Sequence, residues 1–360
     1  MREPACPAPI GARRPTSNNR PGCKTCVRNQ TTTTPCLLIG DIGGTNARFA
    51  LADPLQPGYA QEQTFRCDDF QTAEEAVNRY LEMLGAPAPD AICLAAAGPV
   101  VDGRVRFTNN HWGLDTRDLA KAFGIDRVRL LNDFAAIAYA LPLLQADDCL
   151  DIGLLPGPPL AGRDFTVGVL GPGTGLGAAG LVCRAGSMVP IVGEAGHLGF
   201  APETELQMKV LSRLRERFDR VSDERLLSGP GLENIYAALC GLHGEPITNL
   251  AAADIFSSGA ANTNERASEA LQLFFEVLGQ AAGNLALMLG AEDGIYIAGG
   301  IVKRDPALLA NSRFRTGFEH KGRHRSLMEK IPTRVIMHPE PGLLGAGYCA
   351  RTLLLPEVNR

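Results

Sequence analysis

Two glycine-rich loops contain a threonine and residue types that suit phosphate binding. The first, Gly40–Thr45, reads Gly-Asp-Ile-Gly-Gly-Thr, and the second, Gly171–Gly177, reads Gly-Pro-Gly-Thr-Gly-Leu-Gly. Glycine lets the backbone approach an anion closely, and backbone N–H groups together with a threonine hydroxyl can bind phosphate oxygens. Either loop alone could be an ordinary β-hairpin turn. Because one loop heads each half of the chain, we predict a nucleotide held from both sides.

The letters around these loops separate the nucleotide-binding alternatives. Asp41, inside the first loop, could hold hydrated Mg²⁺ beside the phosphates. The dipeptide Gly-Lys of a Walker loop does not occur in the sequence. A Gly-x-Gly-x-x-Gly motif occurs at 175–180, but Gly186 and Pro190 follow soon after and favour a strand and turn over the helix of a dinucleotide fold. We therefore favour phosphate binding through both loops.

One acidic residue is placed to accept a proton from a substrate. Asn132 and Asp133 follow the apolar residues 128–131 and open a segment with helical spacing. Either residue could simply cap the helix, which is a common use of Asn and Asp. Alternatively, Asp133 is a carboxylate at a strand end that takes a proton from a hydroxyl group.

A second polar group could recognise hydroxyls. Glu194 and His197 are three residues apart in Gly193–Gly199, where the glycines argue against a metal-binding helix. Together with Asn132 and Glu224, they could match the hydroxyls of a sugar, because a buried polar group left without its partner is costly. His197 could equally be a structural histidine.

The elements that must position these residues follow from the apolar pattern. A strand, a Gly/Thr loop and a returning strand begin each half, which indicates a weak internal duplication rather than a short repeat. Thr72 is a candidate helix cap. We predict strands at 36–39, 48–52, 90–97, 128–131, 165–170, 178–183 and 294–298, and helices at 72–84, 134–141, 206–218, 267–289 and 343–355.

Composition limits the class of protein. The chain has 360 residues, of which 45% are hydrophobic and 21% charged, so we expect a soluble globular protein of two domains. A net charge of −4 provides no basic field for nucleic acid or an anionic membrane. The ten cysteines are mostly isolated, which predicts reduced thiols rather than a disulfide framework.

The first 35 residues differ from the rest. They contain six prolines and carry a net charge of +5, so we predict a disordered tail. No hydrophobic segment of the kind found in a secretory signal follows Met1. The prolines also argue against an amphipathic transit peptide. Cys23 and Cys26 have metal-ligand spacing but no well-placed second pair. The true start could also lie downstream.

Seven segments with recognisable motifs follow one another from about Cys36 to the C-terminus. The segments are Leu38–Arg48, Leu131–Phe134, Gly171–Gly177, Gly193–His197, Glu224–Gly231, Ile297–Ile301 and Pro341–Gly347. Each motif is weak alone, but their order is specific. Together they resemble the bacterial glucokinase family of the actin, hexokinase and sugar-kinase ATPase superfamily.

The resemblance implies a fold and an activity. The fold would be α/β, a two-domain actin/hexokinase-like ATPase with mixed sheets flanked by helices around a central cleft. Residues 36–143 plus 341–360 would form the smaller domain and residues 144–340 the larger one. The activity would be ATP-dependent, Mg²⁺-assisted phosphorylation of D-glucose to glucose 6-phosphate. The family resemblance also implies a cytoplasmic homodimer that needs neither nucleic acid nor membrane.

The resemblance also implies roles for individual residues. Asp133 would be the general base toward the sugar 6-hydroxyl, and Asp41 would hold Mg²⁺ through water. The sugar ligands would be Asn109, Asn132, Asp133, Glu194, His197 and Glu224. The ATP-binding residues would be Gly40, Asp41, Ile42, Gly43, Gly44, Thr45, Gly173, Thr174, Gly175, Gly299 and Gly300.

Two alternatives stay open. The same chemistry could act on another hexose such as mannose or fructose, since epimers differ by one hydroxyl. A non-catalytic sugar sensor would not need Asp133 and both phosphate loops. Related repressors carry a cysteine-rich zinc motif after Gly-Glu-x-Gly-His, but 198–202 contains no cysteine, and the first 35 residues cannot form their DNA-binding helices.

Overall fold

The computed structural model describes residues 34–107 and 109–354, and a five-stranded mixed sheet organises its first part. The strand order is β3-β2-β1-β4-β7, with β1 antiparallel to β2 and parallel to β4. A separate hairpin pairs β5 with β6. The elements are β1 Leu37–Ile42, β2 Asn46–Ala52, β3 Tyr59–Arg66, α1 Ala73–Leu84, β4 Ala91–Ala96, β5 Arg104–Arg106, β6 Gly113–Asp115, α2 Thr116–Phe123, β7 Val128–Asn132 and α3 Asp133–Ala140.

A six-stranded mixed sheet organises the second part. Its order is β11-β10-β9-β12-β13-β8, and β9 and β10 form the antiparallel pair that carries the second glycine-rich loop. The elements are β8 Cys149–Ile152, β9 Phe165–Pro172, β10 Leu176–Arg184, β11 Ser187–Gly193, α4 Glu205–Arg215, α5 Gly229–His243, α6 Ala252–Ala260, α7 Glu265–Leu289, β12 Ile295–Ile297, α8 Gly300–Lys303, α9 Pro306–Ala310, α10 Phe314–Glu319, α11 Arg325–Met328, β13 Thr333–Ile336 and α12 Pro341–Cys349.

Local sequence signals explain where the helices begin and end. Helix α1 starts after Thr72, whose hydroxyl accepts a hydrogen bond from the Glu75 N–H, and ends at Gly85 in the left-handed region with φ 58°. Helix α7 has the same arrangement with Asn264 and Gly290 over 25 residues. Most of its turns are buried, so α7 is the central helix of the second part.

Helix α12 returns the chain to the first sheet. It packs against α3 and β1, and the contact with α3 is so close that a Cβ on Gly345 would lie 1.7 Å from the Ala136 carbonyl oxygen. Residues of β1, α3, β9 and α12 share one buried cluster, while a second cluster covers the other face of the first sheet around α1. The strands that carry the glycine-rich loops are therefore held on rigid elements.

The structure confirms the predicted strands and both strand–loop–strand units. The predicted helix 343–355 needs a correction, because α12 starts at Pro341 and ends at Cys349, followed by a π-helical turn, Ala350–Leu354. Proline fits the first turn of a helix, where its missing N–H is not needed. Similarly, α4 ends at Arg215 rather than at Phe218.

Two expectations, the domain division and the disordered tail, keep the status of predictions. The described residues from Pro35 onward form one compact unit, and the proposed division at 143/144 and 340/341 stays a prediction. The predicted disordered tail lies outside the described residues, apart from its last two positions. Among residues 34–107 and 109–354, no helix combines the length and apolar character needed to cross a bilayer.

Candidate active site

The carboxyl ends of three parallel strands bring the acidic residues together. Strands β1, β4 and β7 run in parallel, so Asp41 near the end of β1 and Asp133 directly after β7 meet at one edge of the sheet. Both line a cavity of about 330 Å³. The other lining residues are Gly43, Gly44, Thr45, Asn46, Arg48, Ala97, Ile137 and Gly342. The first glycine-rich loop and the candidate base therefore open into the same space.

Asn132 fixes the start of α3 and the side chain beside it. Its Oδ1 accepts hydrogen bonds from the N–H groups of Phe134 (3.0 Å) and Ala135 (3.2 Å). Its Nδ2 donates to the carbonyl of Gly98 (3.2 Å) and to Oδ1 of Asp133 (2.9 Å). Asn132 therefore caps helix α3, while Asp133 lies beside it at the end of strand β7. The Asp133 carboxylate is held from two sides, since it also accepts from the Phe134 N–H.

The two carboxyl groups titrate above the usual range of Asp. Burial raises the pKa of Asp133 to about 6, and the nearby Glu194 carboxylate acts in the same direction. Burial also raises the pKa of Asp41 to about 7, and the charge of Asp133 adds to this, whereas Arg48 opposes it. Arg48, which faces Asp41 across β1 and β2, forms an ion pair with Glu340 at 3.1 Å.

The first loop is shaped by contacts with the segment 109–112. The Gly43 N–H donates to the Asn46 carbonyl at 2.9 Å, which closes the turn. Asn110 Nδ2 donates to the Gly43 carbonyl at 3.1 Å, and Asn109 lies against Gly44. Gly40 and Ile42 are buried in the sheet rather than facing the cavity, and a Cβ on Gly40 would lie 2.8 Å from Leu94.

The second loop is held by the segment that contains Glu224. The Gly173 N–H donates to the Gly175 carbonyl at 2.8 Å, and the Gly229 N–H donates to the Gly173 carbonyl at 2.9 Å. The Leu176 N–H donates to Oε2 of Glu224 at 2.9 Å. Glu224 therefore contacts the phosphate-loop candidate directly, which sequence spacing did not predict.

Glu194 and His197 lie just after strand β11, which ends at Gly193. They bound a short 3₁₀ turn, Ala195–His197, in which the His197 N–H donates to the Glu194 carbonyl at 3.0 Å, and both residues are exposed. Gly196 packs directly on the carbonyl of Leu176, where a Cβ would lie 2.1 Å from the oxygen. Leu176 thus joins the Glu194–His197 turn to Glu224.

A second cavity, of about 270 Å³, lies beside the second loop. Gly299, with φ 99°, approaches the carbonyl of Pro172 so closely that a Cβ would lie 2.3 Å away, and α8 begins at Gly300 beside it. Most of this cavity was not predicted from the sequence, although Ser228-Gly-Pro-Gly is a recognisable helix start. The lining residues are Gly173, Thr174, Gly229, Pro230, Leu232, Ala252, Ala253, Phe256, Ile301 and Arg304.

Comparison with known proteins gives the chain its class. A family model described as glucokinase matches residues 38–353. Glucokinase from Caulobacter sp. (strain K31) is 42% identical over 311 residues, which cover 86% of this chain and 93% of that protein. A crystal structure of glucokinase from an Antarctic psychrotroph is 35% identical, with a TM-score of 0.80 over 88% of this chain and 98% of that one.

A more distant structure shares the fold. The ROK family glucokinase from Streptomyces griseus, solved in complex with glucose and AMPPNP, is 18% identical, with a TM-score of 0.59 over 88% of this chain and 99% of that one. With the mixed sheets and paired loops described above, these matches define an ATP-dependent hexose kinase of the actin/hexokinase-like fold. The chain belongs to the glucokinase family.

Proposed function

We propose that this chain transfers the γ-phosphoryl group of ATP to the 6-hydroxyl of D-glucose, forming glucose 6-phosphate. The observation that carries the proposal is the position of Asp133, which opens into the same 330 Å³ cavity as the first phosphate-loop candidate. Phosphoryl transfer requires mainly positioning and charge neutralisation, and this cavity joins a hydroxyl-activating carboxylate to phosphate-binding backbone.

Asp133 is the proposed general base. Its pKa of about 6 leaves it ionised at neutral pH, yet closer to the operating pH than an ordinary Asp. It would orient the 6-hydroxyl and accept its proton as the bond to phosphorus forms. Asn132 supports this role, because its Nδ2 holds Oδ1 of Asp133 and leaves the second carboxylate oxygen for the sugar.

The sugar would bind between the Asp133 end of the first sheet and the Glu194–His197 turn. The charge of Glu194 reaches Asp133, and Glu224 meets the same turn at Leu176, so these groups surround one region. Asn109 would approach from the segment 109–112, which lies against Gly44 of the first loop. The proposed ligands are Asn109, Asn132, Asp133, Glu194, His197 and Glu224.

ATP would lie between the two loops. The backbone of Gly43–Thr45 and Gly173–Gly175 would bind the phosphates, while Gly40 and Ile42 would support the first loop from within the sheet. The 270 Å³ cavity suits a nucleobase, because Phe256 provides an apolar wall and the Arg304 guanidinium lies 5.9 Å from that ring. Gly299 and Gly300, the proposed adenosine loop, directly precede Ile301, which lines this cavity.

Asp41 fits the role of a magnesium residue. It is a carboxylate inside the phosphate cavity whose pKa is raised by burial, so a nearby cation would stabilise its charged form. Mg²⁺ prefers carboxylate and water oxygens and usually keeps several waters. When bound, the ion would neutralise charge on the ATP phosphates.

The proposed setting is a cytoplasmic homodimer, as the family resemblance implies. Strand β11 offers one surface for self-association, because it is a sheet edge with Val189, Ile191 and Val192 exposed. The molar mass in solution, measured by light scattering, tests this state directly.

The proposed function is tested by a coupled assay for glucose 6-phosphate. The purified chain is incubated with ATP, Mg²⁺ and glucose, beside mannose, fructose and N-acetylglucosamine. Selective turnover of glucose supports the proposal. Preference for another sugar would retain the chemistry and change the substrate, whereas sugar binding by calorimetry without any turnover would favour a sensor.

A further inference from the structure

Each phosphate-loop candidate is hydrogen-bonded to a distant segment that carries a proposed sugar ligand. Asn110 Nδ2 donates to the carbonyl of Gly43 at 3.1 Å, across 67 residues of sequence. The Leu176 N–H donates to Oε2 of Glu224 at 2.9 Å, across 48 residues. Such long-range bonds are not required by the turns themselves, which are closed by Gly43 with Asn46 and by Gly173 with Gly175.

Asn110 lies on a firmly anchored segment. Its Oδ1 accepts from the Trp112 N–H at 2.9 Å, and the buried Trp112 ring donates through Nε1 to the Phe70 carbonyl at 3.1 Å. Its neighbour Asn109 is a proposed sugar ligand, and a Cβ on Gly44 would lie only 3.3 Å from Asn109. A sugar that contacts Asn109 therefore touches the segment that holds the first loop.

Glu224 makes the equivalent connection to the second loop. A Cβ on Gly175 would lie 2.4 Å from Oε2 of Glu224, so the carboxylate and the loop are in direct contact. Four residues on, the Ser228 hydroxyl donates to the Glu224 carbonyl at 2.8 Å. The Gly229 N–H then holds the Gly173 carbonyl at 2.9 Å. One segment thus contacts both ends of the loop.

We infer that Asn110, as a positioning residue, and Glu224, which is also a proposed sugar ligand, couple occupancy of the sugar site to the shape of the two phosphate loops. The inference rests on the proposed function, since it takes glucose and ATP as the two ligands. Glucose bound to Asn109 and Glu224 restricts both segments and presents the loop N–H groups to the phosphates. By thermodynamic reciprocity, the nucleotide strengthens glucose binding by the same factor.

The test measures this coupling factor by calorimetry. Glucose is titrated into the full chain with and without saturating Mg²⁺·AMPPNP, and the ratio of the two Kd values is the factor. In the unchanged chain we expect glucose to bind at least about fivefold more tightly with the nucleotide present. Loss of one hydrogen bond corresponds to about a fivefold change in an equilibrium constant.

Two substitutions of Asn110 isolate its contact with Gly43. Asn110→Asp and Asn110→Ser both keep an oxygen that can accept from the Trp112 N–H. The ionised Asp carboxylate has no proton to donate, and the Ser side chain ends at Oγ, without the amide nitrogen that donates to the Gly43 carbonyl. We expect both to bring the coupling factor near one while the Kd of glucose alone stays within about twofold. Asn78→Ser, on the exposed surface of α1, is the matched control that leaves the factor unchanged.

Substitutions of Glu224 separate its two contacts. Glu224→Gln retains an oxygen for the Leu176 N–H, so we expect most of the coupling factor to persist. Glucose alone should bind more weakly, because the side chain loses its charge. Glu224→Ala removes the acceptor, and we expect both glucose affinity and the coupling factor to fall. A factor that drops equally in both variants would overturn the role of Glu224.

The outcomes distinguish this inference from the proposed function. Absence of glucose turnover in the unchanged chain would overturn the proposed function and this inference with it. Normal turnover with a coupling factor near one, or with an unaltered factor in both Asn110 variants, would overturn the inference alone.

Discussion

Asp41 and Asp133, at the edge of the first sheet, both have raised pKa values, and burial is the main cause for each. Asp41 and Asp133 are desolvated in the same cavity, and each sees a further negative charge. Burial disfavours the charged form of any carboxyl group, so both pKa values rise. The two groups differ in their surroundings, since Asp133 directly follows Asn132 at the start of α3, whereas Asp41 lies beside the loop that suits phosphates.

The pKa of Asp133 predicts the acid limb of the pH profile. The base must be ionised, and its pKa is raised to about 6, so kcat/KM should fall about tenfold per pH unit below pH 6. The measurement is a pH–rate profile at subsaturating glucose and saturating ATP·Mg²⁺. An acid limb near pH 4, the ordinary value for Asp, would contradict the role of burial at this residue.

The pKa of Asp41 predicts a change in stability. Its folded pKa of about 7 lies above the ordinary 3.8, so its contribution to stability is present below pH 3.8 and is lost as pH rises through 7. Asp41→Asn removes this penalty, and without Mg²⁺ we expect the free energy of unfolding at pH 8 to rise by about 1–2 kcal/mol. Denaturant unfolding at pH 8 and at pH 4 measures the gain, which should vanish at pH 4.

Sequence alone named candidate site residues, but it did not predict the contacts between them. The helix start after Asn132 could be read from Asn-Asp before an apolar segment. The contacts of Glu224 with Leu176 and of Asn110 with Gly43 could not, because each depends on tertiary packing between distant segments. The roles assigned to individual residues stay predictions until variants are measured.

At the scale of elements, helix α3 packs against strands of both sheets. The Phe134 ring packs over Gly171 and Gly177, where a Cβ on Gly177 would lie 1.9 Å from the ring. Glycines at β9 and β10 thus let α3 approach the second sheet, with Asp133 at its first turn. The placement of the base depends on this contact.

A methyl group at position 177 should displace that helix. We expect Gly177→Ala to lower the free energy of unfolding by about 1–3 kcal/mol through overpacking, and to reduce kcat because Asp133 moves with Phe134. Thermal unfolding and steady-state kinetics measure the two effects. Gly241→Ala in α5 is the control, because a Cβ on Gly241 would lie 4.0 Å from Nε of Arg213, an ordinary contact distance. Equal stability of the two variants would show that Phe134 adapts freely.

The elements were the most predictable level. The capped stretch 73–84 has the apolar period of a helix, and the apolar run 91–96 is too short for a typical helix and is followed by Gly98-Pro99, which favours a strand. The boundaries of α4 and α12 were less predictable. The start at Pro341 follows a local rule that the prediction did not apply, whereas the ends at Arg215 and Cys349 have no adjacent glycine or proline to mark them. The cavity beside Phe256 was missed since its walls come from α5, α6 and α8 together.

At the scale of the whole molecule, the compact unit and the family match cover nearly the same residues. The family match covers residues 38–353, and the compact unit begins at Pro35. The Pro/Arg-rich composition of the first 35 residues predicts a disordered tail before this unit, and the disorder stays a prediction. Motif order predicted the family, because seven weak motifs in sequence are jointly specific.

Removal of residues 1–34 should leave turnover intact. None of the proposed ligands lies before Gly40, so kcat and both KM values should stay within about twofold of those of the full chain. The comparison uses the two purified proteins in the same coupled assay, with thermal unfolding to compare their stability. A collapse of activity with retained folding would give the first segment a role in the site.

The central claim is that the Asp133 carboxylate activates the sugar hydroxyl in the cavity shared with the phosphate loop. The most direct measurement is kcat for Asp133→Asn together with its Kd for glucose, beside Asp118→Asn on the exposed surface of α2 as control. We predict a fall in kcat of about 10²–10⁴-fold, with the glucose Kd within a few fold of the unchanged chain. A variant that retains kcat within about tenfold would contradict the claim.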